Sequence, residues 1–363
     1  MRQEIFKLFS DCIPVKGFTR SIIYDLTRKT YYLITNELYD FIRYSEGSTL
    51  EEIRNSNLID SKTLDIYLEF LTQRDLIAWI DIADKDQFPA IDLTWESPYE
   101  LTSIIIEIDE NPYDWTTVSQ TFFKDTNTPY VALNFLSLSS IEAIRKILDA
   151  LQAHPIRGVY LYIPFHKEFT KEVIIELSSN YEKIVHIEVY NSPIPENYQL
   201  KQATVATTKK DQIVYGEASE RNFHCNISNI TEALNYNLFY NRKLILSEKA
   251  NKNNPAVVDY SNIQRSLENS QLKELWEIKK DDVLVCSDCE YRYMCPDGRI
   301  PVKNKRGIWY FNNECHYNPY ICKWAHEQNY MTLEDCGVTC SDEIFYINTE
   351  QLKNMLTKIY NLE

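Results

Sequence analysis

Glycine is scarce, with seven in 363 residues. A chain with so few carries no Gly-rich phosphate cradle of the Walker or dinucleotide type, which excludes most nucleotide-dependent enzymes. Basic charge is short as well: 38 Lys and Arg stand against 53 Asp and Glu, for a formal charge of −15. That balance repels a phosphate backbone, so no nucleic acid partner is expected. No run of about 18 apolar residues occurs, so no transmembrane helix and no membrane association are expected. The opening residues, MRQEIFKLFSDCIPVKGF, lack an apolar signal core with a small-residue cleavage site, and a cytoplasmic location is expected. Cys12 is the sole cysteine before Cys225. A disulfide framework is neither expected in a reducing compartment nor needed, since 44% hydrophobic content suffices for a core.

Cysteine is instead concentrated late. Seven of the nine, Cys286 to Cys340, fall within 55 residues. The stretch VCSDCEYRYMCPDGR places Cys286, Cys289 and Cys295 at C-x2-C-x5-C, and Cys315 in NNECHYNPYICKW is the candidate fourth ligand. Four soft thiolates suit Zn²⁺ or an iron–sulfur cluster. Cys225 and Cys322 are further candidate ligands. Cys336 and Cys340, spaced C-x3-C, read as structural thiols that a supplementary metal site could use, and Cys12 reads as a core residue. His316 abuts Cys315, but no histidine has a helical H-x3-H partner.

Along the chain, residues 1–80 read as a small mixed domain. RSIIYDLTRKTYYLI is two β-rich runs around a turn. Three helical patterns follow: one from Thr35, one opening with a capping box in STLE (Ser48 with Glu51), and SKTLDIYLEFLTQRD. A hairpin with three helices is a winged-helix-like arrangement. Residues 81–100, with two prolines, read as a linker that lets residues 1–80 fold alone. In 101–215 the buried-strand runs LTSIIIEI, YVALNF, RGVYLYI and IVHIEVY alternate with helical patterns near 113–123, 140–152 (capped by Ser139) and 168–179. This alternation predicts parallel β/α units, too few for an eight-fold barrel, hence an α/β open or partial barrel. DENPYDW after the first strand reads as a solvated loop. Residues 216–363 form the cysteine-rich third.

VCSDCEYRYMCPDGR followed by ECHYNPYICKW resembles the SPASM domain, the cluster-binding extension of radical SAM peptide-modifying enzymes. With FKLFSDCIPVKGFTRSIIYDL, DLTWESPYELTSIIIEID and FHCNIS…NRKLIL, nearly the whole chain resembles the SPASM-domain peptide maturase of grasp-with-spasm systems. The resemblance implies a precursor peptide and an ATP-grasp ligase as partners. It further implies that residues 1–80 are a winged-helix-type peptide-recognition element, that 101–215 are a shrunken radical-SAM-like barrel, and that 216–363 are a SPASM-like metal-binding domain. The C-x3-C-x2-C motif that holds the radical SAM iron is missing, as is a glycine-rich SAM segment, so no SAM chemistry is expected. Of the two clusters common in SPASM domains, one ligand set is intact (Cys286, Cys289, Cys295, Cys315). The other is eroded to Cys225, with Gly298 where a cysteine is expected after CPD.

These readings imply one metal site per chain, a [4Fe–4S] cluster with zinc as the alternative. The expected function is an accessory protein that binds the precursor for an ATP-grasp ligase, with no catalytic residue assigned. A peptide strand would add at the hairpin edge near Tyr31, with groove contacts from Lys62 and Tyr67. The alternatives are an iron–sulfur enzyme using its remaining cluster, and a structural zinc-clasped adaptor.

Overall fold

The computed structural model describes residues 3–109, 126–247, 254–258 and 267–360, with positions 115, 118, 123 and 265 standing singly between them. The chain divides into two compact units that cut across its linear order. One comprises residues 1–95, 216–238 and 278–363, the other 96–215 and 239–277.

The first unit opens with β1 (Glu4–Leu8), β2 (Cys12–Val15), β3 (Ser21–Asp25) and β4 (Thr30–Ile34). β2, β3 and β4 form an antiparallel sheet in that order. The β3–β4 hairpin is the one legible in the sequence: Tyr24 faces Tyr31, and Lys29 turns the chain at φ 55. Three helices follow, α1 (Asn36–Ser45), α2 (Leu50–Asn55) and α3 (Ser61–Gln73), and β5 (Ile77–Asp81) then pairs antiparallel with β1. The α2 capping box lies one residue later than expected. Thr49, not Ser48, accepts from the Glu52 amide, and Glu52, not Glu51, reaches back to the Thr49 amide. The Ser48 carbonyl is engaged by the Phe6 amide, which holds Ser48 outside the helix.

Strand alternation gives the small sheet two buried faces. Cys12, Ile23 and Tyr32 pack with Leu38, Phe41, Leu64 and Leu71 of the helices. Ile22, Tyr24 and Tyr31 pack instead with Cys225, Ile230, Tyr291 and Met294, more than 190 residues away in sequence. Residues 1–80 are therefore not a compact unit by themselves but share one with residues 216–238 and 278–363. Ile22 and Tyr24 are fully buried, and their cover comes from the far end of the chain.

In the second unit the four apolar runs are β6 (Ser103–Ile108), β7 (Tyr130–Phe135), β8 (Gly158–Pro164) and β9 (Ile184–Tyr190), all parallel neighbours. α4 (Ile141–Gln152) and α5 (Lys171–Asn180) lie between them in sequence, and Ser140, not Ser139, caps α4 by accepting from Ala143. The helical pattern near 113–123 and most of DENPYDW lie outside the described residues. The sheet is wider than the alternation predicts. It adds β10 (Glu196–Gln199) and β11 (Thr204–Thr207) on one side. After α6 (Ile227–Asn235), which belongs to the first unit, β12 (Lys243–Leu246) and β13 (Val257–Val258) extend the other side. The order is β10-β11-β9-β8-β7-β6-β12-β13, parallel except at the β10–β11 edge. α7 (Ser270–Glu277) also belongs here. The chain leaves this unit at residue 216 but comes back to it over 239–277, where the apolar run Leu244–Leu246 is buried beside β6.

Residues 278–360 return to the first unit as three ribbons and a helix. β14 (Val302–Lys303) pairs with β15 (Trp309–Tyr310), β16 (Tyr317–Asn318) with β17 (Lys323–Trp324), and β18 (Val338–Cys340) with β19 (Phe345–Ile347). α8 (Thr349–Tyr360) closes the chain. No described helix is long and apolar enough to cross a membrane.

Candidate metal centre

The cysteine motif folds as consecutive tight turns. Amide donation from Ser287 to Val283, Asp288 to Val285 and Cys289 to Cys286 winds one 3-10 turn, which brings Cys286 and Cys289 to the same side. Val285 enters this turn at φ 70, a conformation that β-branched residues avoid and that costs on the order of 1–3 kcal/mol. A further turn, from the Met294 amide to the Tyr291 carbonyl, delivers Cys295. Cys315 arrives from the residues just before β16. All four cysteines line one cavity of about 30 Å³, with Phe223, Tyr291, Tyr317 and Trp324 among its other walls. Among the described residues, no three His, Cys, Asp or Glu side chains are grouped so that they could hold a metal ion.

Three cations and one carboxylate line the same cavity; Arg292 is paired with Asp281, Nε to Oδ1 at 2.8 Å, while Lys280 and Arg299 share Asp297. Lys280 Nζ lies 2.7 Å from Asp297 Oδ2, and Arg299 Nη2 lies 2.7 Å from the same oxygen. The Lys280 and Asp297 side chains are 8% and 2% exposed. Lys280 and Arg299 sit over the Phe311 ring, at 4.7 and 4.1 Å from its centroid. Burial favours a neutral Asp297, but Lys280 and Arg299 outweigh it and hold the carboxyl well below the usual carboxylate range. Burial pushes the Cys286 thiol up to about 11, against the pull of Lys280 and Arg299. Burial likewise raises Cys289, Cys295 and Cys315. Lys280 opposes the rise at Cys295, and Arg299 opposes it at Cys315.

The loop that carries Asp297 and Arg299 is held by a glycine pair. Gly298 donates its amide to the Gly216 carbonyl at 2.8 Å, and Gly216 has φ +61. A Cβ on Gly216 would fall 2.5 Å from the Gly298 nitrogen and 2.6 Å from the Pro296 carbonyl oxygen, so the approach requires glycine there.

The other candidate ligands lie elsewhere. The Cys225 thiol donates to the Thr30 carbonyl at 3.0 Å inside the sheet core, and the Cys322 thiol to the Pro319 carbonyl at 3.7 Å. Neither lines the cavity, nor does His316. Cys336 packs with Tyr320, Val338 and Leu352, and Cys12 with the helices.

Of the proposed peptide contacts, Tyr31 packs edge-on against Tyr291 with centroids 5.9 Å apart, and Tyr67 lies against Phe41 at 5.7 Å. Lys62 is exposed in the first turn of α3. Lys62, Ile66, Phe70 and Arg74 follow one another at i, i+4 spacing and form a second stripe on this helix, which sequence reading had passed over for the buried one. Ile66 is 54% exposed. The Arg74 guanidinium lies 3.9 Å from the Phe70 centroid and 5.8 Å from that of Tyr32, so the stripe ends beside β4. No described strand pairs with the outer edge of β4, and the Cys225 thiol donates to the Thr30 carbonyl at its start. The opposite edge strand, β2, carries Pro14, which has no amide to donate.

No family model matches the chain. No curated protein matches it either. Among solved structures, it aligns with Streptococcus suis SuiB bound to S-adenosylmethionine and with SuiB bound to precursor peptide SuiA. Each alignment has 11% identity and a TM-score of 0.20, and covers 51% of this chain and 48% of the other. The chain thus spans about half the length of the structures it matches. The similarity is weak.

Proposed function

We propose that this chain is an accessory protein of peptide maturation that captures an extended precursor peptide on β4 and carries a four-thiolate metal centre in the same unit. The observation that carries the reading is the unpaired outer edge of β4 beside the half-apolar α3 stripe. An added strand gains main-chain hydrogen bonds from the edge, while alternate side chains reach Ile66 and Phe70. Lys62, at one end of the stripe, supplies charge for an acidic residue. The partner that would act on the captured peptide is an ATP-grasp ligase, on the strength of the motif resemblance. In this reading the chain positions the peptide and leaves bond formation to the ligase.

Cys286, Cys289, Cys295 and Cys315 would hold the metal group. Four cysteines around one cavity support a four-thiolate group, and the motif resemblance favours a [4Fe–4S] cluster, with a lone zinc ion as the alternative. Once bound, such a cluster supplies folding energy and a one-electron couple. The protein's own residues do the rest: aromatic walls restrict water, and the strained Val285 turn presents two ligands together.

Fluorescence anisotropy of a labelled precursor peptide, titrated with the full chain, tests the peptide reading. Ile66→Glu should weaken binding by about tenfold, equivalent to about 1.4 kcal/mol. Folding should be untouched, because the residue is exposed. Equal binding of a scrambled peptide, or unchanged affinity in Ile66→Glu, would rule the edge out.

A further inference from the structure

Positive charge outnumbers negative in the wall of the thiol cavity. Lys280, itself buried, and Arg299, with its side chain 24% exposed, share a single carboxylate, Asp297, and Arg292, paired with Asp281, lines the cavity too. Four thiolates around Zn²⁺ or an oxidised [4Fe–4S] core leave two negative charges in excess, which cations in the wall of the same cavity would offset.

We propose that Lys280 and Arg299, tied together by Asp297, are the counter-cations of the four-thiolate centre, holding its metal and setting its reduction potential. The proposal rests on the metal reading above. The two cations are held over the Phe311 ring, and Arg299 is also held by the Asn313 carbonyl, which accepts from its Nη1 at 2.5 Å. Their charge is therefore held beside the cysteines by packing rather than by flexible reach. A positive charge beside a cluster favours its reduced, more negative form, so removing one charge lowers the midpoint. Removing the Asp297 charge acts in the opposite sense. That pair of opposite signs distinguishes a charge effect from loss of packing.

The full chain, loaded anaerobically with iron and sulfide, is titrated with a chelator while bound metal is measured, and its midpoint is read by a spectroscopic redox titration. A parallel zinc-loaded arm gives the chelator readout alone. Lys280→Met and Arg299→Gln should lose metal at about 10- to 100-fold lower chelator, as for other partners of metal ligands. Their midpoints should move negative. Lys280→Arg should stay close to the parent in both, and Asp297→Asn should move the midpoint positive. Arg299, with its side chain 24% exposed, tolerates substitution more readily and carries the test if Lys280→Met does not fold. Parental chelator resistance and midpoint in the charge-removing variants, with Cys289→Ser devoid of metal, would overturn this proposal and leave the metal reading standing. Full metal content in Cys289→Ser would remove both.

Discussion

Glu290 is wholly buried beside Cys289, and it is paired with Arg20 from the opposite end of the chain, Nε to Oε1 at 2.6 Å. The Tyr317 hydroxyl donates to the same oxygen at 2.5 Å. Arg20→Met strands this carboxylate without a cation and should lower stability by about 3–5 kcal/mol, the usual effect of breaking a buried pair. A fall in the urea midpoint at unchanged slope would show it. Cys12 and Cys225 are a second case. Burial, helped by the Asp25 charge, pushes each thiol up to about 12. An unfolded thiol titrates near about 8.5, so the folded chain holds both protons longer than the unfolded one. Their contribution is fully present below about pH 8.5 and is lost as pH rises toward 12, with a combined slope of up to about 2.7 kcal/mol per pH unit. Replacing both by Ala should flatten the alkaline limb of stability against pH, measured by urea unfolding.

At the scale of single elements, the ends of α2 and α3 are set by local chemistry. Thr49 and Glu52 satisfy each other's orphan amides, and Asp60 accepts from Lys62 and Thr63 at the start of α3. Thr49→Ala should cost about 1 kcal/mol. Ser48→Ala should cost almost nothing, because Ser48 acts through its carbonyl and amide. Thermal unfolding of the two variants separates the observed box from the one a residue earlier. The register error is instructive. STLEE contains both S-x-x-E and T-x-x-E, and the Phe6–Ser48 backbone bond, a contact 42 positions apart, selects the second.

Across the whole chain, the amino-terminal sheet and the cysteine turns are one folding unit. The Tyr24 hydroxyl donates to the Glu290 carbonyl, the Phe18 amide to the Asp288 carbonyl, and Arg292 to the Lys16 carbonyl. A fragment of residues 1–95 leaves Val15, Ile22, Tyr24 and Leu26 uncovered. It should melt without a cooperative transition and bind an apolar dye, where the full chain melts cooperatively. By the same coupling, and on the metal reading proposed above, stripping metal from the loaded full chain should lower amide hydrogen-exchange protection in β3 as well as in the cysteine turns. Protection unchanged in β3 would mean that the sheet is indifferent to the centre.

The sequence alone determined whatever depends on near neighbours. The hairpin, the three helices after it, four parallel strands and the tight cysteine turn are set by periodicity, capping residues and spacing over a few positions. Tertiary structure decided whatever depends on distant partners. Strand β12 is too short to stand out as LIL until it lies beside β6. Lys280 stands in sequence between Lys279 and two aspartates, with nothing nearby to mark it, yet it is buried against Asp297 seventeen residues later. The second α3 stripe gains meaning from Tyr32 alongside it, and residues 1–80, which look self-contained in sequence, hide half their sheet under Tyr291 and Met294. Local rules fix which face of an element is apolar, but what covers that face is chosen among all the other apolar faces of the chain, and no short window contains them.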